Sequence, residues 1–263
     1  MKKLEGKVAY ITGGAMGNGF GIAKVLGKHG AKIVIVDYSE LVTKAVESLK
    51  SFGYDAVGYL LDIRNKEAVK ASVESAVKAF GKIDILVNNA GVCHLENFVD
   101  VTEEDLDMHL DINIKGTWNV TKAVIPYMLE QRYGKIVNLS SVTGYMVADP
   151  GEVAYATTKA AIIGFTKAMA REVAGKNITV NAICPGYVRT PMVDNMAKLT
   201  NPENPQQVID QIASAVPLGR LGYIEEVGDL AAFLASDESA YITGTEIVID
   251  GGSTLPETSS MGQ

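Results

Sequence analysis

Residues Val8–Gly19 constrain the fold of this chain more than any other stretch. Val8-Ala9-Tyr10-Ile11 is an apolar strand pattern that runs directly into Thr12-Gly13-Gly14-Ala15-Met16-Gly17-Asn18-Gly19, and a helix pattern follows. Strand, glycine-rich turn and helix in that order form the context in which clustered glycines carry meaning. Gly13, Gly17 and Gly19 leave room for the backbone to turn sharply and approach a diphosphate. The helix opening near Gly19 presents unpaired N–H groups and the positive end of its dipole. A second strand, Lys32–Val36, ends at Asp37, 18 residues after Gly19. An acid there accepts from both ribose hydroxyls of NAD and repels the 2′-phosphate of NADP. No Arg or Lys lies within Gly13–Gly19 or directly after Asp37, so the expected cofactor is NAD(H), preferred over NADP.

The same alternation continues along the chain. Strand patterns fall at Val8–Thr12, Lys32–Val36, Ala56–Leu61, Ile83–Val87, Lys135–Leu139, Thr179–Ile183 and Glu246–Ile249. Helical patterns lie between them at Gly19–His29, Ser39–Phe52, Lys66–Phe80, Thr102–Arg132, Tyr155–Val173 and Glu225–Ala235. Strands such as Ile33-Val34-Ile35-Val36 are apolar without alternation, as expected where helices cover both faces of a parallel sheet. A doubly wound α/β sheet follows. With 263 residues, 47% hydrophobic and 21% charged, the chain fits one large domain.

Thr102-Glu103-Glu104-Asp105 has the form of a capping box, and Asn204-Pro205 that of an N-cap followed by proline. Pro191–Pro217 breaks the rhythm with four prolines and a short amphipathic helix, Gln206–Ala215; an insertion at about 190–217 is expected to act as a lid over a site. No apolar run reaches the roughly 18 residues that span a bilayer. A net charge of −7 with scattered Lys and Arg argues against nucleic-acid or membrane partners. Two cysteines, Cys93 and Cys184, build no disulfide framework and suit a reducing cytoplasm. Cys93-His94 has no second Cys/His pair at ligand spacing, so no metal site is expected.

Tyr155 and Lys159 stand four apart in a helical pattern and so share one face, with Cβ atoms roughly 6 Å apart. A cation beside a phenol favours the phenolate and lowers a pKa that is ordinarily about 10. Such a pair can give and take a proton.

Thr12-Gly13-x3-Gly17-x-Gly19, Asn88-Asn89-Ala90-Gly91, Ser140-Ser141, Tyr155-x3-Lys159 and Pro185-Gly186-x3-Thr190 occur in the order seen in short-chain dehydrogenases/reductases. Across the whole chain the sequence resembles that family. Val147–Glu152, Asn181–Pro191 and Asp250–Glu257 resemble its bacterial UcpA-type oxidoreductases. The resemblance implies a Rossmann fold with a seven-stranded parallel sheet in the order 3-2-1-4-5-6-7. It implies a catalytic set of Asn113, Ser141, Tyr155 and Lys159, with Asn113 bending the long fourth helix and anchoring a proton-relay water. Ser141 and Ser140 point to opposite faces of a strand, and the second of the pair is the family's usual catalytic serine. The implied cofactor residues are Gly13, Met16, Gly17, Asn18, Gly19, Asp37, Tyr38, Asp62, Ile63, Asn89, Ala90 and Gly91, then Tyr155, Lys159, Pro185, Gly186, Val188 and Thr190. Of these, Asp62 would bond the adenine amino group, and Val188 and Thr190 the nicotinamide carboxamide.

Asn18 departs from the family's usual isoleucine and loses an apolar contact. Ser141 lies 14 residues before Tyr155, one more than in many relatives. The family also implies a homotetramer. His94, Val142, Tyr187, Met192 and Met196 are the candidate substrate-pocket residues. With Leu95, Tyr145 and Val147 they suit a hydrophobic secondary alcohol or ketone such as a hydroxysteroid; a sugar alcohol or small aldehyde is the alternative. A non-catalytic nucleotide sensor would be expected to have a broken catalytic set, and this set is complete. A ketoreductase acting on an acyl carrier would be expected to prefer NADPH and to carry a basic docking patch.

Overall fold

The computed structural model describes residues 2–255, so the end of the Asp250–Glu257 motif and the tail after it lie outside the described residues. Seven parallel strands form one sheet: β1 Val8–Thr12, β2 Lys32–Asp37, β3 Ala56–Leu60, β4 Ile85–Asn88, β5 Gly134–Leu139, β6 Ile178–Pro185 and β7 Glu246–Ile249. Their order is β3-β2-β1-β4-β5-β6-β7. β1, β4, β5 and β6 are buried along their whole length, polar Lys135, Asn138, Thr179 and Asn181 included, so their sequences show no polar alternation.

The helices are α1 Gly17–Lys28, α2 Leu41–Ser51, α3 Lys66–Phe80, α4 Glu103–His109, α5 Thr117–Gln131, α6 Val153–Val173, α7 Pro191–Thr200, α8 Pro205–Ala215 and α9 Ile224–Ala235. Two apolar layers result. Ile22, Leu26, Ile33, Ile35, Val227 and Ala231 fill one side of the sheet, and Tyr10, Val34, Val73, Val120, Val124 and Met128 fill the other.

Two features differ from the sequence expectation. The helix expected over Thr102–Arg132 is divided by a π-helical stretch, Leu110–Gly116. A π-turn inserts an extra residue into the helical register, and here it carries Asn113. The second difference is α7, a helix of the 190–217 insertion that the proline-broken pattern does not mark. It starts on Thr190, whose side chain accepts from the Val193 amide, with Pro191 in the first turn. Expected and observed N-caps agree at Thr102, which accepts from Asp105, and at Asn204, which accepts from Gln207.

Candidate active site

The site forms where β1 and β4 part at their C-terminal ends, at the reversal of strand order. α1 begins without any side-chain cap and has no acid in its first turn, whereas α3, α4, α7 and α8 begin on Asn65, Thr102, Thr190 and Asn204. Its first N–H groups are thus left for an external anion. Gly13 and Gly17 have positive φ, 62° and 55°. A Cβ on Gly13 would stand 2.8 Å from Asn89 Nδ2, and one on Gly17 would stand 3.7 Å from the Thr190 side chain. Asn89 ties this turn to β4: its amide nitrogen donates to the carbonyls of Thr12 and Gly13, each at 3.0 Å. Thr12 Oγ1 in turn accepts from the Asn89 and Ala90 amides.

Asp37 closes β2 and is 8% exposed. One carboxylate oxygen accepts from the Ala15 amide and the other from the Ser39 amide, each at 3.0 Å. The carboxylate is thus fixed beside the glycine turn with lone pairs to spare. Tyr38, next to it, and Met16 are exposed. Asn18 sits in the turn with its Oδ1 buried and unpartnered. These features fit a dinucleotide: an uncapped helix end, close-packed glycines and an oriented acid.

Asp62 lies beyond the end of β3 rather than within it. It holds the Arg64 guanidinium at 2.8 Å from Nε, and this contact keeps its carboxyl below the ordinary range. Ile63 is buried and packs against Gly116. At the other end of the cleft Pro185 closes β6, and Gly186 sits so near Asp250 that a Cβ would stand 2.7 Å from its Cβ. Val188 is buried and bridges to Gly222.

α6 carries Tyr155 and Lys159, with the Lys159 Nζ 5.5 Å from the Tyr155 ring centre. The serine pair lies just past the end of β5 and divides between two partners. Ser140 Oγ donates to the Lys159 carbonyl at 2.8 Å, whereas the Ser141 hydroxyl accepts from the Thr143 amide at 3.1 Å and lies near enough to Tyr155 to favour its ionised form. Lys159 is 6% exposed and donates to the Leu139 carbonyl at 2.8 Å. Burial lowers its ammonium pKa to about 8.

Burial raises the Tyr155 phenol above its ordinary range, and the Cys93 thiol adds to this while Ser141 opposes it. Desolvation decides the direction, opposite to the lowering expected from Lys159, and Tyr155 rests as a neutral phenol. Asn113 is 2% exposed, and its side chain is fully engaged: Oδ1 accepts from the Val92 amide, and Nδ2 donates to the Val92 carbonyl and to Thr158. It locks the turn after β4 against α6.

The expected substrate residues do not form one wall. Val142 is buried with Ile163 and Cys184 and supports the cleft from behind. His94 points its ring at Asp105 of α4, at 3.0 Å. Tyr145 lies beside Glu246 of β7, whose carboxylate raises its phenol pKa. Tyr187 reaches Asp149 at 3.5 Å; Met192 of α7 is exposed and Met196 half-buried. Sequence reading missed Asn138, which joins Asn88 to Thr166 through bonds of 2.9 Å beneath the site. It also missed Glu152, which is near enough to Tyr155 and Cys93 to raise both. Neither belongs to a spacing motif. Among the described residues no group of three or more His, Cys, Asp or Glu side chains could hold a metal ion.

A family model described as enoyl-(acyl carrier protein) reductase matches residues 13–254. Over 262 residues the chain is 56% identical to oxidoreductase UcpA of Salmonella typhimurium, covering 100% of each. It belongs to the short-chain dehydrogenase/reductase family. Another relative in this family, the 3-oxoacyl-[acyl-carrier-protein] reductase FabG of Thermotoga maritima, is 42% identical over 257 residues, 95% of this chain and 98% of that one. Among solved structures, levodione reductase superposes with a TM-score of 0.89 at 32% identity, covering 95% of this chain and 98% of that one.

Proposed function

We propose that this short-chain dehydrogenase/reductase is NAD(H)-dependent and interconverts a secondary alcohol and a ketone, with a hydrophobic substrate such as a hydroxysteroid. The observation that carries the reading is the convergence of the Ser141 hydroxyl, the Tyr155 phenol and the Lys159 ammonium at the end of β5 and the start of α6. The bound nicotinamide would supply or accept the hydride. Tyr155, protonated at rest, gives its proton to the substrate oxygen during reduction and takes it back during oxidation. Ser141 donates a hydrogen bond to the same oxygen as its charge grows. Lys159 keeps two N–H groups free of the Leu139 carbonyl for ribose hydroxyls and proton exchange. The uncapped end of α1 would hold the diphosphate, and Asp37 the adenosine ribose.

Leu95, Val147, Tyr187 and Met192 are large apolar side chains that remain exposed around the cleft, which supports a hydrophobic substrate; α7 and α8 would close over it. A second reading, reduction of 3-oxoacyl groups on a carrier protein, is favoured by the likeness to FabG and weakened by Asp37. The exposed faces of α5 and α6 would meet other copies in a cytoplasmic homotetramer. Among the described residues no helix is long and apolar enough to cross a membrane.

The test is a screen of steroid ketones, sugars, small aldehydes and a 3-oxoacyl thioester with NADH and NADPH in parallel. Tyr155→Phe should cut kcat by about 10²-fold or more, since proton transfer by a positioned side chain contributes 10²–10⁴. NADH binding should persist. Residual activity above about a tenth, or equal kcat/KM with both cofactors, would contradict the catalytic and the cofactor assignments respectively.

A further inference from the structure

The chain leaving β4 passes the Tyr155–Lys159 pair before it reaches α4. At Gly91 the approach is close: a Cβ there would stand 3.1 Å from Asn113 Oδ1 and 3.5 Å from Lys159 Nζ. Two side chains from one helical run grip the next residues by their backbone. Asn113 pairs with both the amide and the carbonyl of Val92, at 2.8 and 3.0 Å. His109, one turn earlier, accepts from the His94 amide through Nε2 at 3.1 Å.

The other ring nitrogen of His109 lies 2.7 Å from the Asp105 carbonyl. A backbone amide can only donate and a carbonyl can only accept, so Nε2 is bare and Nδ1 carries the hydrogen. His109 is thus a neutral imidazole with both nitrogens committed, and it is 1% exposed. Cys93 stands between the two gripped residues, and its thiol is close enough to Tyr155 and Lys159 to perturb both.

We propose that His109 is a positioning residue of this site, fixing the His94 backbone and thereby holding Cys93 beside Tyr155. Asn113 sets one end of the segment and His109 the other. The four-residue interval between them on the helical run matches the two-residue step from Val92 to His94 along the extended chain. Together, Asn113 of the π-turn and the buried imidazole pin the 92–94 segment at two points. The kinetic consequence rests on the oxidoreductase reading above; the structural consequence does not.

Two polar variants separate this role from general packing. In His109→Gln the side-chain carbonyl reaches the place of Nε2 and still accepts from His94. In His109→Asn the shorter amide can serve the Asp105 carbonyl but cannot reach His94. Three readouts apply to the full chain: amide hydrogen exchange over residues 92–95, the alkylation rate of Cys93 with iodoacetamide, and KM and kcat for NADH-dependent reduction of a cyclic ketone. Cys184, 0% exposed, is the unreactive internal reference.

His109→Asn should speed exchange and Cys93 alkylation by about tenfold, the equivalent of one hydrogen bond. It should raise KM while leaving kcat within about threefold, with NADH affinity unchanged. His109→Gln should match the wild type in all three. Wild-type exchange and alkylation in His109→Asn would overturn the proposal, as would His109→Gln behaving like His109→Asn. Wild-type protein that reduces no ketone would count against the oxidoreductase reading alone, because exchange and alkylation still decide the role of His109.

Discussion

Lys159 is the residue at which folding and chemistry conflict most. Burial lowers its pKa from 10.5 to about 8. Between those values the unfolded chain binds a proton at this position that the folded chain does not. The unfavourable contribution is therefore full below pH 8 and fades as pH rises toward 10.5. Lys159→Met should accordingly be more stable than wild type at pH 7, by on the order of 2 kcal/mol. The gap should narrow steadily above pH 8 in urea titrations; a gap independent of pH would refute the cause given. At this scale the sequence was most informative where a motif names both the residue and its partner. Alternation says that only one of Ser140 and Ser141 can face Tyr155, and the family resemblance names Ser141. His109 could not be read in this way, because its partner is a backbone amide that no spacing reveals.

Elements show a similar division. The inner strands were legible because a strand buried on both faces carries an apolar run without alternation, the partly buried edge strands β3 and β7 were read as well, and no strand end moved by more than two residues. The break in the long helix was legible only through the family resemblance, which marks a bend at Asn113. Its apolar residues continue the pattern of the flanking helices, and the partner of Asn113, Val92, is distant in sequence. α7 was hidden by its prolines, which read as breaks although Pro191 is a favoured first-turn residue. Glycine in α1 also has a second role. A Cβ on Gly21 would stand 2.5 Å from the Ile224 carbonyl oxygen, and one on Gly228 would stand 2.7 Å from Val25 Cγ2. α1 and α9 thus meet backbone to backbone. Gly21→Ala should force them apart at a cost of about 1–3 kcal/mol, measured by thermal unfolding, and should weaken NADH binding because α1 also carries the phosphate turn. Unchanged stability would mean that α9 can shift without loss.

For the whole molecule, the proposed assembly has a built-in reporter. The chain has one tryptophan; Trp118 is 56% exposed, and its ring lies 5.6 Å from that of Phe165 on α6. If α5 and α6 meet a second copy, Trp118 emission should be blue-shifted in concentrated protein and move to the red on dilution, in step with dissociation seen by sedimentation. Water-exposed emission from a monomer at micromolar concentration would rule that interface out. The strand order has a consequence for how the molecule is made. Every strand except β4 is laid beside the one synthesised just before it, whereas β4 must return to β1. From the emergence of β3 until Ile85–Asn88 clears the ribosome, one edge of β1 has no partner. That interval is when a nascent chain is most open to pairing with a neighbour or to capture by a chaperone. It ends with the arrival of the same Asn88–Gly91 turn that joins the glycine turn after β1 to α6.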